Sequence, residues 1–398
     1  SEMCIRDGVK RQRMWALISR VPQRPSSGAN VIGGFPPRED QITWAALVLL
    51  IGRAHDGLGR YATLSDSMPN ADVLLATFVT QEVVLSSRIE GTQVTLTEVL
   101  EYEAQGDLLD ESTEKKKDAR EVLNYRRALS AGAEKLPERG LSQWLVRGMH
   151  EVLMQGVRGR DKGPGQYRSI PVHIGIEGRP IEEARFTACA PEHVPSAMAT
   201  WEAYALGSAP DPIVQAAIVH AEFEAIHPFA DGNGRAGRLI IPLFLVAKGL
   251  LMRPNFYISG YLEAHREEYC ARLEATSREG DWTGWSAFFL RAVEAQAKEN
   301  INKVQKILHL YEHYKARIAE TTKSAHAVHA LDWFFGEPIF RSTDFTQSGI
   351  MAPHTASRIL KIMREDGMLR ILRPGQGRRS AIIVFPEFFN ITEGRQIF

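Results

Sequence analysis

The chain has 398 residues, with Lys plus Arg and Asp plus Glu both at 48 and a formal net charge of zero. That balance excludes recognition of nucleic acid or membrane by overall charge, so an anionic partner must meet a local patch. Cys4, Cys189 and Cys270 are too few and too scattered for a disulfide framework and suit a reducing compartment, and no apolar run nears the ~18 residues of a membrane span.

The N-terminal stretch mixes charges into its apolar positions and lacks the features of a secretory leader, so an intracellular setting is expected, and the cysteine usage and architecture fit a bacterial cytoplasm. Residues 21–40, "VPQRPSSGANVIGGFPPRED", read as irregular from their Pro, Gly and Ser content. From Ile42 to about Gln105 apolar residues recur at helical spacing, as in Leu74, Leu75, Phe78 and Val79, with Pro69 and Gly91 as punctuation. Within that region "SSRIEGT", Ser86 to Thr92, puts Glu90 in a last helical turn before Gly91 at the C′ position. A carboxylate there opposes the helix dipole, and solvent exposure is its simplest explanation.

The charged run "DLLDESTEKKKDAREV" reads as a connector or a solvated helix face. From about Asn124 to Val293 the pattern is helical again, interrupted once by "GPGQYRSIPVHIGIEGRPIEEARF", whose turn residues bracket a short alternating run and predict a β-hairpin. Asp211 then serves as N-cap with Pro212 at the first helical position, and Ile213, Val214, Ala217, Ile218 and Ala221 form the stripe of a helix. The segment that follows, "IHPFADGNGRAGRL", contains G-x-G-x-x-G, but a helix precedes it where a dinucleotide-binding loop needs a strand.

Helix, tight loop, helix is the better reading. Pro228 blocks the first helix, and Gly232 and Gly234 permit a sharp turn close to a ligand. The second helix begins near Asn233, and its free N–H groups with Arg235 and Arg238 make a site for a polyphosphate. Asp231 supplies a hard oxygen suited to Mg2+, and His227 a base active near neutral pH.

A helix from roughly Glu299 to Thr322 leads to a C-terminal unit of three helices and two short strands, "MLRILR" and "SAIIVF". Seven basic residues against two acidic ones lie between Arg358 and Arg379. Arg358, Lys361, Arg378 and Arg379 are candidate DNA contacts, with protein docking or dimerisation as the alternative use of the unit.

"HPFADGNGRAGR" resembles, without mismatch, the Fic-domain signature H-x-F-x-[DE]-G-N-G-R-x-x-R, whose GNGR form is associated with transfer of AMP from ATP to a protein hydroxyl. The resemblance implies that His227 deprotonates the target hydroxyl and that Phe229 anchors the loop. It further implies that Asp231 holds Mg2+ against the phosphates, and that Asn233 with the backbone of Gly232 and Gly234 cradles the α-phosphate. Arg235 would contact the polyphosphate and Arg238 its γ-phosphate end. Kinase-like relatives of the death-on-curing type differ at GNGR, which disfavours phosphate transfer.

Ser86 to Gly91 is similar to the inhibitory pattern [ST]-x-x-x-E-[GN] of Fic proteins, which implies that Glu90 pairs with Arg238 in place of the γ-phosphate. In some relatives the same Glu aligns a water that removes AMP from the target. The hairpin resembles the Fic flap, with Tyr167 and Arg168 at its base and Val172, His173 and Ile174 beside a target segment. "NFYISGYLEAHREEYCARL" resembles the segment that closes over adenine, leaving Tyr257 and Tyr261 as ring contacts or as core.

The expected fold is mainly α: an N-terminal helical region (1–110), a Fic-type core with a β-hairpin flap (111–300), a linker helix (301–322) and a C-terminal winged helix-turn-helix (323–398). The expected function is that of a self-inhibited protein adenylyltransferase using Mg·ATP on a Ser, Thr or Tyr hydroxyl of itself or a target protein. A nucleotide-sensing DNA-binding regulator and a net deAMPylase are the alternatives. Expected partners are the target, a second copy of the chain and DNA, with no membrane.

Overall fold

The computed structural model describes residues 35–68, 70–105, 114–157, 161–174, 186–377 and 379–398. In chain order its helices are α1 (Trp44–Asp66), α2 (Ala71–Leu74), α3 (Ala76–Ile89), α4 (Leu96–Gln105), α5 (Glu114–Arg139), α6 (Gln143–Leu153), α7 (Val194–Leu206), α8 (Pro212–Ile226), α9 (Asn233–Ala247), α10 (Ser259–Ala264), α11 (Arg266–Glu279) and α12 (Trp282–Thr322). A two-stranded hairpin, β1 (His173–Ile174) with β2 (Phe186–Thr187), interrupts them between α6 and α7, in the segment whose turn residues predict it.

Helix α8 lies at the centre. Apolar residues surround it on every side, and nearly all of its side chains are buried, which marks a helix enclosed by others. Asp211 caps it as expected, its Oδ1 accepting from the N–H groups of Ile213 (3.0 Å) and Val214 (2.8 Å). The indoles of Trp201 on α7 and Trp285 on α12 donate to the α8 carbonyls of Val219 (2.8 Å) and Ala217 (2.7 Å), so two of the largest buried side chains satisfy their polar atoms on the helix they pack against. Along α1, Gly57 brings the backbone so close to α12 that a Cβ there would lie 3.1 Å from the Ala297 Cβ.

The expected linker helix is no separate element. A single helix runs from Trp282 to Thr322, because its buried stripe, from Trp285 through Val304 and Ile307 to Ile318, continues without a turn residue. Beyond it come α13 (Ala327–Gly336), β3 (Ile339–Arg341), α14 (Ser342–Thr346), α15 (Pro353–Glu365), β4 (Arg370–Arg373), β5 (Ile382–Val384) and α16 (Pro386–Glu393). The three strands form an antiparallel sheet in the order β3-β5-β4, with Phe340 opposite Ile383 and Ile371 opposite the same residue on the other edge. The strand β3 and the helix α16 are additions to the sequence reading.

This C-terminal unit is tied to the rest of the chain. Helix α13 packs on α2, β3 on α4, and α16 on α3. Tyr311 on α12 donates to Asp332 (2.6 Å), Tyr314 to Glu387 (2.9 Å), and Lys303 to Gln81 of α3 (3.2 Å).

Candidate active site

Pro228 lacks an N–H and its ring clashes with a continuing helix, so α8 stops just before it. His227 caps the helix in the left-handed region (φ 51°, ψ 60°), a conformation uncommon for a residue with a Cβ. Arg168 holds it there. Its Nε donates to the His227 carbonyl (2.7 Å), Nη2 to the carbonyls of Ile226 (3.2 Å) and Cys189, and Nη1 to that of Ile170 (3.0 Å), while its own backbone N–H donates to Pro228 (2.9 Å). A guanidinium is thereby set against the negative end of the α8 dipole, and the base of the hairpin is joined to the loop that follows His227.

The His227 Nδ1 lies 3.2 Å from the Glu224 carbonyl, which can only accept. Nδ1 therefore carries the proton, and Nε2 keeps its lone pair for a substrate. Burial, foremost, lowers the pKa of this histidine from 6.5, so the ring is neutral at pH 7.

Phe229 is fully buried and its ring stacks on His150, centroids 3.7 Å apart and planes 6° from parallel. Asn233 closes the loop by using both ends of its amide on Phe229, accepting from the N–H (2.8 Å) and donating to the carbonyl (2.8 Å). The Asn233 side chain is thus spent on loop shape, which leaves its backbone N–H for a ligand. His150 fixes the opposite wall. Its Nδ1 accepts from Gly165 N–H (2.9 Å), so its Nε2 donates to the Asp231 carbonyl (2.8 Å), and burial pushes its pKa down to about 4. Gly232, at φ 77°, passes so close that a Cβ would sit 2.8 Å from the Met154 sulfur.

Helix α9 begins at this turn. Arg235 and Arg238 lie on neighbouring positions but serve different partners. Arg235 is buried against Glu121 of α5 (3.0 Å), and both side chains are almost wholly enclosed. Arg238 donates from Nε to the Ser86 hydroxyl (2.7 Å) and from Nη2 to the Ser86 carbonyl (3.1 Å) and the Glu90 carboxylate (2.7 Å). Helix α3 ends at Ile89 with Glu90 as C-cap and Gly91 at φ 94°, which turns the chain away and lets the carboxylate reach across.

Gly234 receives that carboxylate, since a Cβ at this position would come within 2.2 Å of Glu90 Oε1. An anion therefore rests on the first turn of α9, where the helix dipole favours it. Burial, the largest single influence, would raise the pKa of Glu90; the charge and hydrogen bond of Arg238, with the charges of Arg235 and His227, together outweigh it and hold the carboxyl below 4.5. The Arg238 side chain is only 2% exposed and that of Glu90 45%, so the pair is anchored on one side and open on the other.

Asp231 accepts from Gly232 N–H on Oδ1 (2.7 Å) and lies 3.3 Å from the Lys162 ammonium on Oδ2. Among the described residues no group of three His, Cys, Asp or Glu side chains could hold a metal. A cation at Asp231 must draw most of its ligands from phosphate oxygens and water, which fits Mg2+.

On the hairpin, the Val172 carbonyl accepts from Ala188 N–H (3.1 Å), and the backbones of His173 and Ile174 pair with Thr187 and Phe186; the side chains of His173 and Ile174 lie outside the described residues. Tyr261 stacks on His265 (4.0 Å) and approaches Phe288 (5.7 Å). Tyr257 lines a cavity that none of the motif residues lines. Neither tyrosine is brought to the loop between α8 and α9 by a hydrogen bond or ring contact among the described residues. In the C-terminal unit Arg358 donates to the Thr322 carbonyl (3.0 Å), Lys361 stands near Glu365 (3.7 Å), and Arg379 is exposed. Arg378 lies outside the described residues.

Three residues of this arrangement escape a reading of the motif: Glu121, His150 and Lys162. Arg168, assigned from sequence to the hairpin base, also shapes the loop.

Residues 48–134 match the family profile described as "Fic/DOC family N-terminal", and residues 140–245 match the one described as "Fic/DOC family". A probable protein adenylyltransferase of Aquifex aeolicus (strain VF5) is 30% identical over 201 residues, a match covering 49% of this chain and 58% of that protein. The protein adenylyltransferase fic-1 of Caenorhabditis briggsae is 36% identical over 88 residues, 21% of this chain and 16% of the relative. The chain thus spans under two thirds of either relative's length. A Fic family protein from Desulfovibrio desulfuricans G20 superposes with a TM-score of 0.56 at 21% identity, over 92% of this chain and 98% of that one. A Fic domain containing signaling protein from Bacteroides thetaiotaomicron gives 0.52 at 18% identity, over 63% and 97%. These likenesses establish a shared fold.

Proposed function

We propose that this chain, whose residues 48–134 and 140–245 match the N-terminal and core profiles of the Fic/DOC family, is a self-restrained protein adenylyltransferase. It transfers AMP from Mg·ATP to a Ser, Thr or Tyr hydroxyl of itself or of a target protein, in a bacterial cytoplasm. Two named adenylyltransferases among its relatives support the reaction class. One observation carries the restraint: an anion from the chain itself, the Glu90 carboxylate, rests on the first turn of α9 and on Arg238, 2.7 Å away.

His227 Nε2 takes the proton of the attacking hydroxyl, whose oxygen bonds to the α-phosphorus as the bond to the β-phosphate oxygen breaks and pyrophosphate leaves. The N–H groups at the start of α9 hold the α-phosphate, and Arg238, freed of Glu90, receives the terminal phosphate. Arg235, fixed by Glu121, adds positive potential beneath them. Asp231 is the residue that would hold Mg2+, which when bound neutralises polyphosphate charge. The backbone of the hairpin at Val172, His173 and Ile174 offers a target segment main-chain pairing.

Intact-mass measurement after incubation with Mg·ATP tests this. Glu90→Gly is expected to gain one or more AMP units, while wild type and Glu90→Gly/His227→Ala gain none. Equal labelling of wild type and Glu90→Gly removes the restraint, and labelling that survives His227→Ala removes the base.

A further inference from the structure

The basic stretch of the C-terminal unit takes no part in the proposed transfer reaction. Seven basic residues stand against two acidic ones between Arg358 and Arg379, while the chain is neutral overall, so the rest of it is net acidic. A local excess of this kind draws a polyanion to one face of a neutral protein.

The fold puts that excess on the outside. Helix α15 buries Ala356, Ile359, Leu360 and Met363 against α12, α13 and α14, and leaves His354, Ser357, Arg358, Lys361 and Arg364 exposed. Strand β4 follows after residues 366–369, and with the turn to β5 it exposes Arg370, Arg373 and Arg379. Both acidic residues are engaged: Asp366 accepts from Arg317 of α12 (2.9 Å), and Glu365 lies 3.7 Å from Lys361. Two arginines are engaged as well, Arg358 with the Thr322 carbonyl (3.0 Å) and Arg373 with Glu101 of α4. Arg364, Arg370 and Arg379 make no side-chain hydrogen bond or ion pair among the described residues.

The shape of this surface selects among polyanions. A membrane calls for apolar side chains beside the cations, whereas the apolar side of α15 is core, and among the described residues from Pro353 to Arg379 only Ile371 is a large exposed apolar one. A helix ~10–12 Å across with its side chains fits the ~12 Å major groove of B-DNA. A helix that follows another after a turn, as α15 follows α14 across residues 347–352, can present its N-terminal residues to base edges there.

We propose that this face binds duplex DNA, with α15 in the major groove and the β4–β5 hairpin on the backbone beside it. His354 and Ser357 meet base edges, and Lys361, Arg364, Arg370 and Arg379 meet phosphates. Glu101 competes with a further phosphate for Arg373, so α4, the helix after the Glu90 turn, holds back one contact.

Fluorescence anisotropy of the full chain without nucleotide, with a labelled random-sequence duplex of about 30 base pairs as probe, tests the face. Contact with about four phosphates predicts that affinity falls roughly a hundredfold between ~50 and ~200 mM salt. Arg370→Ala/Arg379→Ala is expected to weaken binding at least ~10-fold at ~50 mM salt and to flatten the salt slope by about two. Arg53→Ala/Arg60→Ala, which removes the same charge from α1, should bind as wild type does. Glu101→Gln releases Arg373 and should bind more tightly, with a slope steeper by about one. AMP labelling of Glu90→Gly should be unaffected by the hairpin substitutions, so this face and the transfer reaction stand or fall separately. No binding at ~50 mM salt, equal losses in the two double variants, or capture by phosphatidylserine vesicles without duplex binding would each overturn the proposal. Indifference to Glu101→Gln would overturn the competition for Arg373.

Discussion

Burial lowers the proton affinity of His227, and the Glu90 carboxylate pushes the other way. In Glu90→Gly that opposing charge is gone, so the pKa falls further below 6.5. A base works only when deprotonated, and its activity is lost as pH drops through the pKa it has in the folded enzyme. The rate of AMP incorporation by Glu90→Gly is therefore expected to stay level from pH ~8 to ~6.5 and to decline only at more acidic pH. A decline centred at or above 6.5 would assign the limb to another group. The residues behind this chemistry were unevenly legible. His227, Asp231, Gly232, Gly234 and Arg238 are close in sequence, so a local motif exposes them. Their partners are not: His150 lies 81 residues from Asp231, Glu121 lies 114 from Arg235, and Ser86 lies 152 from Arg238. Only a likeness to a known pattern connected Ser86 and Glu90 to the loop, since a last-turn carboxylate is ordinarily a solvated one.

At the scale of elements, the loop between α8 and α9 is held by two clamps from different elements. Asn233 binds it from α9 through the backbone of Phe229, and Arg168 binds it from the hairpin through the carbonyls that end α8. Removing Arg168 leaves those carbonyls without their shared donor and His227 without the contact that stabilises its left-handed backbone. Arg168→Ala is expected to cost about 2–4 kcal/mol in chemical denaturation and to abolish labelling in the Glu90→Gly background. Arg168→Lys should recover part of the stability but little activity, because one ammonium does not span the carbonyls that a planar guanidinium reaches. Full activity in either variant would show that the loop keeps its shape without this clamp. The caps were readable from sequence because capping is local, as Asp211 and Pro212 illustrate. The three-residue strand β3 was not, since its pairing with β5 depends on residues more than forty positions away.

Across the whole molecule, the apolar interior is continuous. Buried residues of the N-terminal helices, the α8–α9 region and the C-terminal unit belong to one cluster, with α12 running through it from Trp285 to Ile318. The sequence suggested separate units joined by a linker, because composition reports punctuation and not which faces are shared. A chain built this way is expected to melt in one cooperative step despite its length, with a calorimetric to van't Hoff enthalpy ratio near ~1. Two resolved endotherms would mean that the C-terminal unit folds independently of α2, α3 and α4.

The half-exposed carboxylate on a buried arginine has a consequence that belongs to competition. Glu90 comes from the same chain, so its pairing with Arg238 does not vary with protein concentration; it acts as an anion held at a fixed effective concentration. Under the proposed function an incoming polyanion would enter from the open side and contend with that constant background, its occupancy shifting by degrees as its own concentration rises. Because α16 packs on the helix that presents Glu90, any change that loosens this support would dilute the internal anion, and under the proposed function the site would respond as though more nucleotide had been added.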